Sequence, residues 1–183
     1  MDFELVLKTL ISEFSRLNIR SAAIGGFALG VLGAPRQTMD LDFLVHRDDL
    51  DKLDKALTAL GYSRVFHSEN VSQYRHPQDA WGSLDFIHAF RKISLAMLDR
   101  AKDYPALGGT QSLRTAQPED VIGLKIQAMF NDPERRAQEQ NDIERLMVQH
   151  CRRLDWQRIQ EFYEVFGLAE EARKLRERFD RDQ

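Results

Sequence analysis

Asp40 and Asp42 stand two residues apart in the apolar stretch TMDLDFLV, residues 38–45. Carboxylates are poor strand formers and poor core residues, so such a strand needs something to balance their charge. Side chains alternate faces along a strand. Asp40 and Asp42 therefore point to one side, while Met39, Leu41, Phe43 and Val45 point to the other and can pack on a core. Two neighbouring carboxylates repel, and a divalent cation relieves this. Mg²⁺ prefers this kind of donor set, hard oxygens from a couple of carboxylates completed by phosphate oxygens. A third acid, Asp85, sits inside GSLDFIHAF between Leu84 and Phe86. Two acids on one strand and a third on another match a two-metal phosphoryl-transfer site. The plainer alternative is that the three aspartates cap turns or pair with arginines.

Just upstream, Gly25 and Gly26 close the stretch SAAIGG. Glycines let a phosphate approach the backbone, and free N–H groups at the start of a helix favour an anion. A glycine pair is also an ordinary turn, so its weight comes from lying before the aspartates. Arg36 and Thr38, on the loop entering the aspartate strand, add a cation and a hydroxyl for phosphate oxygens. In PEDVIGLKIQAM, Lys125 falls among Val121, Leu124 and Ala128 on one helical face. A lysine so placed either snorkels to the surface or is held for a ligand.

The elements that must position these residues follow from periodicity. Phe3, Val6, Leu7, Leu10, Ile11, Phe14 and Leu17 recur at helical spacing, which predicts an amphipathic opening helix. SAAIGG reads as a short buried strand, residues 27–32 as a short helix, and TMDLDFLV as the second strand. Leu50, Leu53, Leu57 and Leu60 mark a helix stopped at Gly61. YSRVF, VSQYRH and GSLDFIHAF read as strands, residues 93–102 as a helix, and LGGTQSLRT as a turn with a last short strand. Pro118, Glu119 and Asp120 suit a helix start, and helices are expected over about 118–130, 134–149, 155–166 and 168–180. The fold class is thus α+β, a mixed sheet with flanking helices over residues 1–115, then a helical C-terminal part over 116–183.

The segment GGFALGVLGAPRQTMDLDFLV resembles the signature of the nucleotidyltransferase superfamily with the DNA polymerase β-like fold. Gly-Gly followed by Arg-x-Thr-x-Asp-x-Asp is most similar to the AbiEii-type toxin nucleotidyltransferases. Those proteins also carry a Pro-Glu-Asp-Leu-type helix start with a lysine, and then Arg-x-Lys-Asp-x-x-Asp. Here the latter reads RAQEQNDIERL, so Arg136 and Asp142 match, while Gln138 and Glu139 replace Lys-Asp. The resemblance implies a nucleotidyltransferase-type fold and an enzyme that uses Mg²⁺ and a nucleoside triphosphate. Asp40, Asp42 and Asp85 would hold the metals, with Asp85 as base. Gly25, Gly26, Arg36, Thr38 and Lys125 would hold the nucleotide, and Asp142 would support Lys125. It further implies a toxin–antitoxin or phage-defence toxin, with tRNA or protein as acceptor and an antitoxin protein as partner. Two rivals remain open: an antibiotic-type enzyme with a small hydroxylated acceptor, and a nucleotide- or partner-binding module without turnover.

Bulk properties agree. The 183 residues are 43% hydrophobic and 30% charged, an ordinary globular balance that argues against disorder. A net charge of −3 marks no global nucleic-acid binder. A single cysteine, Cys151, excludes a disulfide framework and a cysteine zinc cluster. No signal-peptide pattern or membrane-length apolar run is present, so a cytoplasmic location away from membranes is expected. The histidines at 46, 67, 76, 88 and 150 lack metal-ligand spacing, and His88, three residues after Asp85, falls on the opposite face. If RNA is the acceptor, Arg152, Arg153, Arg158 and the arginines of RKLRER should form a basic surface with the acids turned away.

Overall fold

The structure is a computed structural model that describes residues 1–179. The last residue of the expected final helix, Asp180, lies outside the described residues. The chain divides into two compact units, one of residues 1–31 and 35–116, the other of residues 32–34 with the chain from 117 on.

The first unit opens with α1 (Phe3–Leu17). The Asp2 carboxylate accepts a hydrogen bond from the Leu5 N–H at its start, and Asn18 closes it in the left-handed region. Its stripe of Val6, Leu7, Leu10 and Phe14 is buried. Then come β1 (Ser21–Ile24), α2 (Gly25–Val31), β2 (Leu41–His46), α3 (Leu50–Ala59), β3 (Ser63–His67), β4 (Val71–Arg75), β5 (Ser83–Ala89), α4 (Lys92–Arg100), β6 (Lys102–Ala106) and β7 (Gln111–Thr115). The strands form one mixed sheet in the order β3-β4-β5-β2-β1-β7-β6. β2 runs parallel to β5 and β1 parallel to β7, and the other pairs are antiparallel. This is the expected α+β arrangement, a mixed sheet with flanking helices.

Phe43 and Phe86 stack at 5.7 Å on one sheet face, and Phe14 and Tyr74 meet them edge-on. That aromatic core fixes the register. A slip of one residue would bring Asp42 into the core and Phe43 out of it.

Three expectations shift. β2 begins at Leu41, so Asp40 lies just outside the strand rather than within it. Gly25 and Gly26 belong to α2, which starts two residues earlier than expected. The helix expected over 93–102 ends at Arg100, and β6, KDYPA, is a strand the sequence reading did not assign. It carries Pro105, which an edge strand tolerates because no second neighbour needs its N–H.

The second unit holds α5 (Pro118–Asn131), α6 (Arg136–His150), α7 (Trp156–Val165) and α8 (Ala169–Phe179). A Cβ at Gly123 would stand 2.8 Å from the Phe162 ring, so glycine permits the close approach of α5 and α7. The expected basic surface is not formed by all of the named arginines. Arg158 pairs with Asp155 and Glu119, Arg173 with Glu170 and Glu177, and Arg178 with Glu144. Acids at i+3 and i+4 spacing, or on a facing helix, neutralise them locally.

Candidate active site

One lateral row of the sheet gathers the acids. Asp42 is the cross-strand partner of Ile24 on β1 and of Asp85 on β5, and Asp85 is in turn the partner of Gln73 on β4. Directly opposed residues share a face, so Asp42 and Asp85 project side by side. Asp40 is close enough to act on Asp85. Burial first, then repulsion from Asp40, push the Asp85 carboxyl above its usual range, while a 3.3 Å hydrogen bond donated by Gln73 Nε2 opposes the rise.

Gly25 follows Ile24 with φ of +66°, and a Cβ there would stand 1.9 Å from Asp42 Oδ2. At Gly26 a Cβ would meet Thr38 Oγ1 at 2.7 Å and Arg36 Nη2 at 3.0 Å. The glycines therefore seat the site's own side chains against the turn. Thr38 Oγ1 donates to the Asp40 carbonyl at 3.3 Å and Arg36 Nη1 to the Gln37 carbonyl at 2.8 Å. Beside them lies a pocket of about 530 Å³, lined by Gly26, Phe27, Arg36, Thr38 and the turn Leu107–Gly109. A larger cavity, about 660 Å³, includes Phe14, Phe43 and Leu113 in its wall and none of the expected site residues.

The second unit carries its own buried charge cluster. Lys125 Nζ donates to Glu139 Oε2 at 2.8 Å and to Asp142 Oδ2 at 2.6 Å. The lysine is 5% exposed, Glu139 1% and Asp142 0%, which rules out a snorkelling lysine. Arg135, one turn before Glu139, binds its other oxygen. The departure from the Lys-Asp pattern thus leaves a carboxylate at position 139 that still reaches the lysine.

The family model for an uncharacterised nucleotidyltransferase matches residues 3–177. The chain belongs to this family. It is an enzyme, a nucleotidyltransferase, and a nucleotide is its substrate. The AbiEii-type placement is not reached by this match, which stays at the level of nucleotidyltransferase. No curated protein matches. Solved structures share the fold. The antibiotic-resistance factor ANT(2″)-Ia has a TM-score of 0.67 at 14% identity, over 95% of this chain and 97% of that one. An antigenic nucleotidyltransferase-like protein from Paracoccidioides brasiliensis gives 0.60 at 18%, over 98% and 92%. The lincosamide antibiotic adenylyltransferase LnuA gives 0.56 at 16%, over 78% and 95%.

For this nucleotidyltransferase, Asp40, Asp42 and Asp85 are a donor set of the right chemistry for a hard cation. Asp42 and Asp85 are adjacent, and Asp40 presses on Asp85. Among the described residues no group of three or more His, Cys, Asp or Glu side chains is gathered closely enough to hold a metal ion. Among the described residues no helix is long and apolar enough to cross a membrane. Two contacts escaped the sequence reading. Glu139 lies three residues before Asp142 on one helix, a spacing that puts both on one face and could have revealed it. Gln73 gave no local signal, because its tie to Asp85 depends on cross-strand register.

Proposed function

We propose that this nucleotidyltransferase moves a nucleoside monophosphate from a nucleoside triphosphate to an acceptor hydroxyl with Mg²⁺. The observation that carries this reading is the lateral pair Asp42–Asp85, with Asp40 beside it and Gly25 packed on Asp42. Bound Mg²⁺ at Asp40, Asp42 and Asp85 would neutralise phosphate charge. Gly25, Gly26, Arg36 and Thr38 hold the triphosphate, and within the helical unit Asp142 and Glu139 hold Lys125. Asp85, whose raised pKa suits a proton acceptor, takes the acceptor's hydroxyl proton. The hydroxyl oxygen bonds to the α-phosphorus in line, the bond to the β-phosphate oxygen breaks, and pyrophosphate leaves. From the AbiEii-like motifs, the biology is that of a toxin–antitoxin or phage-defence toxin acting on tRNA or protein, with an antitoxin as partner.

A second reading is an antibiotic-type enzyme. It is favoured by the likeness in fold to ANT(2″)-Ia, an antibiotic-resistance factor, and LnuA, a lincosamide antibiotic adenylyltransferase. The test is incubation with Mg²⁺, each α-labelled nucleotide, and in turn total RNA, total protein, an aminoglycoside and a lincosamide. Label should enter RNA or protein, require Mg²⁺, and disappear in Asp42→Asn. Label confined to a drug would establish the second reading. Transfer by Asp42→Asn equal to wild type would remove the aspartates from the site.

A further inference from the structure

The sheet does not end at Asp85. Beyond it, away from Asp42, β4 and the edge strand β3 extend the same face. Burial alternates along β4: Ser72 and Tyr74 are buried, while Gln73 and Arg75 are exposed and Val71 is partly so. On β5, Leu84, Phe86 and His88 are buried and Ser83, Asp85 and Ile87 partly exposed. β3 is exposed throughout, and its Phe66, 49% exposed, is the cross-strand partner of Gln73. Asp42, Asp85, Gln73 and Phe66 therefore form one continuous row leading from the acids to an aromatic ring at the sheet edge. A bulge between Arg64 and Phe66 sets that ring apart from the regular ladder.

We propose that this outer face of β3, β4 and β5 is the acceptor platform, and that its occupant is the 3′ end of a single-stranded RNA segment. The inference rests on the transfer reading above. In-line displacement puts the acceptor opposite the leaving pyrophosphate. With the triphosphate on the Gly25–Gly26 side of Asp42, the acceptor comes from the Asp85 side. A base must also lie within hydrogen-bond reach of the hydroxyl it deprotonates, so the acceptor lies on the surface next to Asp85.

The chemistry of that surface selects among acceptors. Within the three strands, SRVFH, VSQYR and SLDFIHA, Asp85 is the one carboxylate. A polycationic drug would find only the acids of the site itself, Asp85 with Asp42 and Asp40 beside it, and none farther out along these strands. Arg75 offers a phosphate contact, and the exposed Phe66 offers a ring on which an unpaired base stacks. Two strand spacings, on the order of 10 Å, separate Phe66 from Asp85, so neighbouring nucleotides can take the stacking position and the reacting position. Gln73, between them, is a polar contact for the ribose or base edge.

The test is fluorescence anisotropy with a 5′-labelled single-stranded RNA of about ten nucleotides bearing a free 3′ hydroxyl. It is run without nucleotide on wild type, Arg75→Glu and Phe66→Ala, with melting temperature as the fold control. Both side chains are exposed, so both variants should fold. Each variant should weaken RNA binding about tenfold or more, and raise KM for RNA without raising KM for nucleotide. Equal binding by wild type and both variants overturns the platform, as does failure of wild type to bind the oligonucleotide. Arg75-dependent RNA binding with no transfer to any acceptor overturns the transfer reading, and with it the acceptor role of this face. Transfer to an aminoglycoside or a protein with no RNA binding overturns the platform and leaves the transfer reading standing.

Discussion

Lys125 shows what a single residue hides in sequence. Its apolar neighbours fit a snorkelling lysine as well as a held one, and only burial against Glu139 and Asp142 separates the two. The structure changes what its replacement should do. Lys125→Met leaves two buried carboxylates without their shared cation, and breaking a buried pair costs roughly 3–5 kcal/mol. Urea unfolding should show a loss of that order, and a loss below about 1 kcal/mol would fit only a surface lysine. Asp85 behaves oppositely. Its folded-state pKa is raised, so the native state keeps the proton to higher pH than the unfolded chain does. Stability therefore falls as pH rises from about 4 through the folded pKa. Asp85→Asn removes that penalty. The variant without nucleotide or metal should melt above wild type at neutral pH, with the gain vanishing below about pH 4. A variant that melts below wild type at neutral pH would show that Asp85 is stabilised as the anion.

At the scale of elements, alternation made the central strands legible. Ala22–Ile24, Leu41–Val45 and Leu84–Phe86 are apolar on the core face, and the aspartates occupy the alternate positions of β2 and β5. The edge strand β6 was not legible. KDYPA has two charges, a proline and no core stripe, and it is a strand because β7 supplies a ladder. The start of α2 was blurred for a related reason, since glycine serves turn and helix start alike. There the structure gives Gly25 two reasons to be glycine: a positive φ, and the Asp42 carboxylate where a Cβ would go. Gly25→Ala should cost roughly 1–3 kcal/mol for the backbone strain. It should also displace Asp42 and so remove transfer activity. Retention of activity within a factor of about ten, a barrier change of 1.4 kcal/mol, would mean that the turn absorbs the methyl and that Asp42 need not sit against Gly25.

For the whole molecule, charge decides how RNA could be held. With 26 basic and 29 acidic residues and a net charge of −3, no long-range field draws in a polyanion. In the helical unit Arg158, Arg173 and Arg178 already face carboxylates. Local pairing of this kind was invisible in composition, which counts charges without placing them. RNA binding must then rest on a few contacts near the sheet edge. Each phosphate contact on a single strand contributes a slope of about −0.7 to log K against log salt. A platform centred on Arg75 predicts a shallow slope, about −1 to −2, which Arg75→Glu lowers by about 1. A broad basic surface predicts a steep slope that this substitution barely alters. Anisotropy titrations across about 50 to 200 mM salt separate the two. A slope steeper than about −4 that survives Arg75→Glu would place the RNA on the arginines of the helical unit instead.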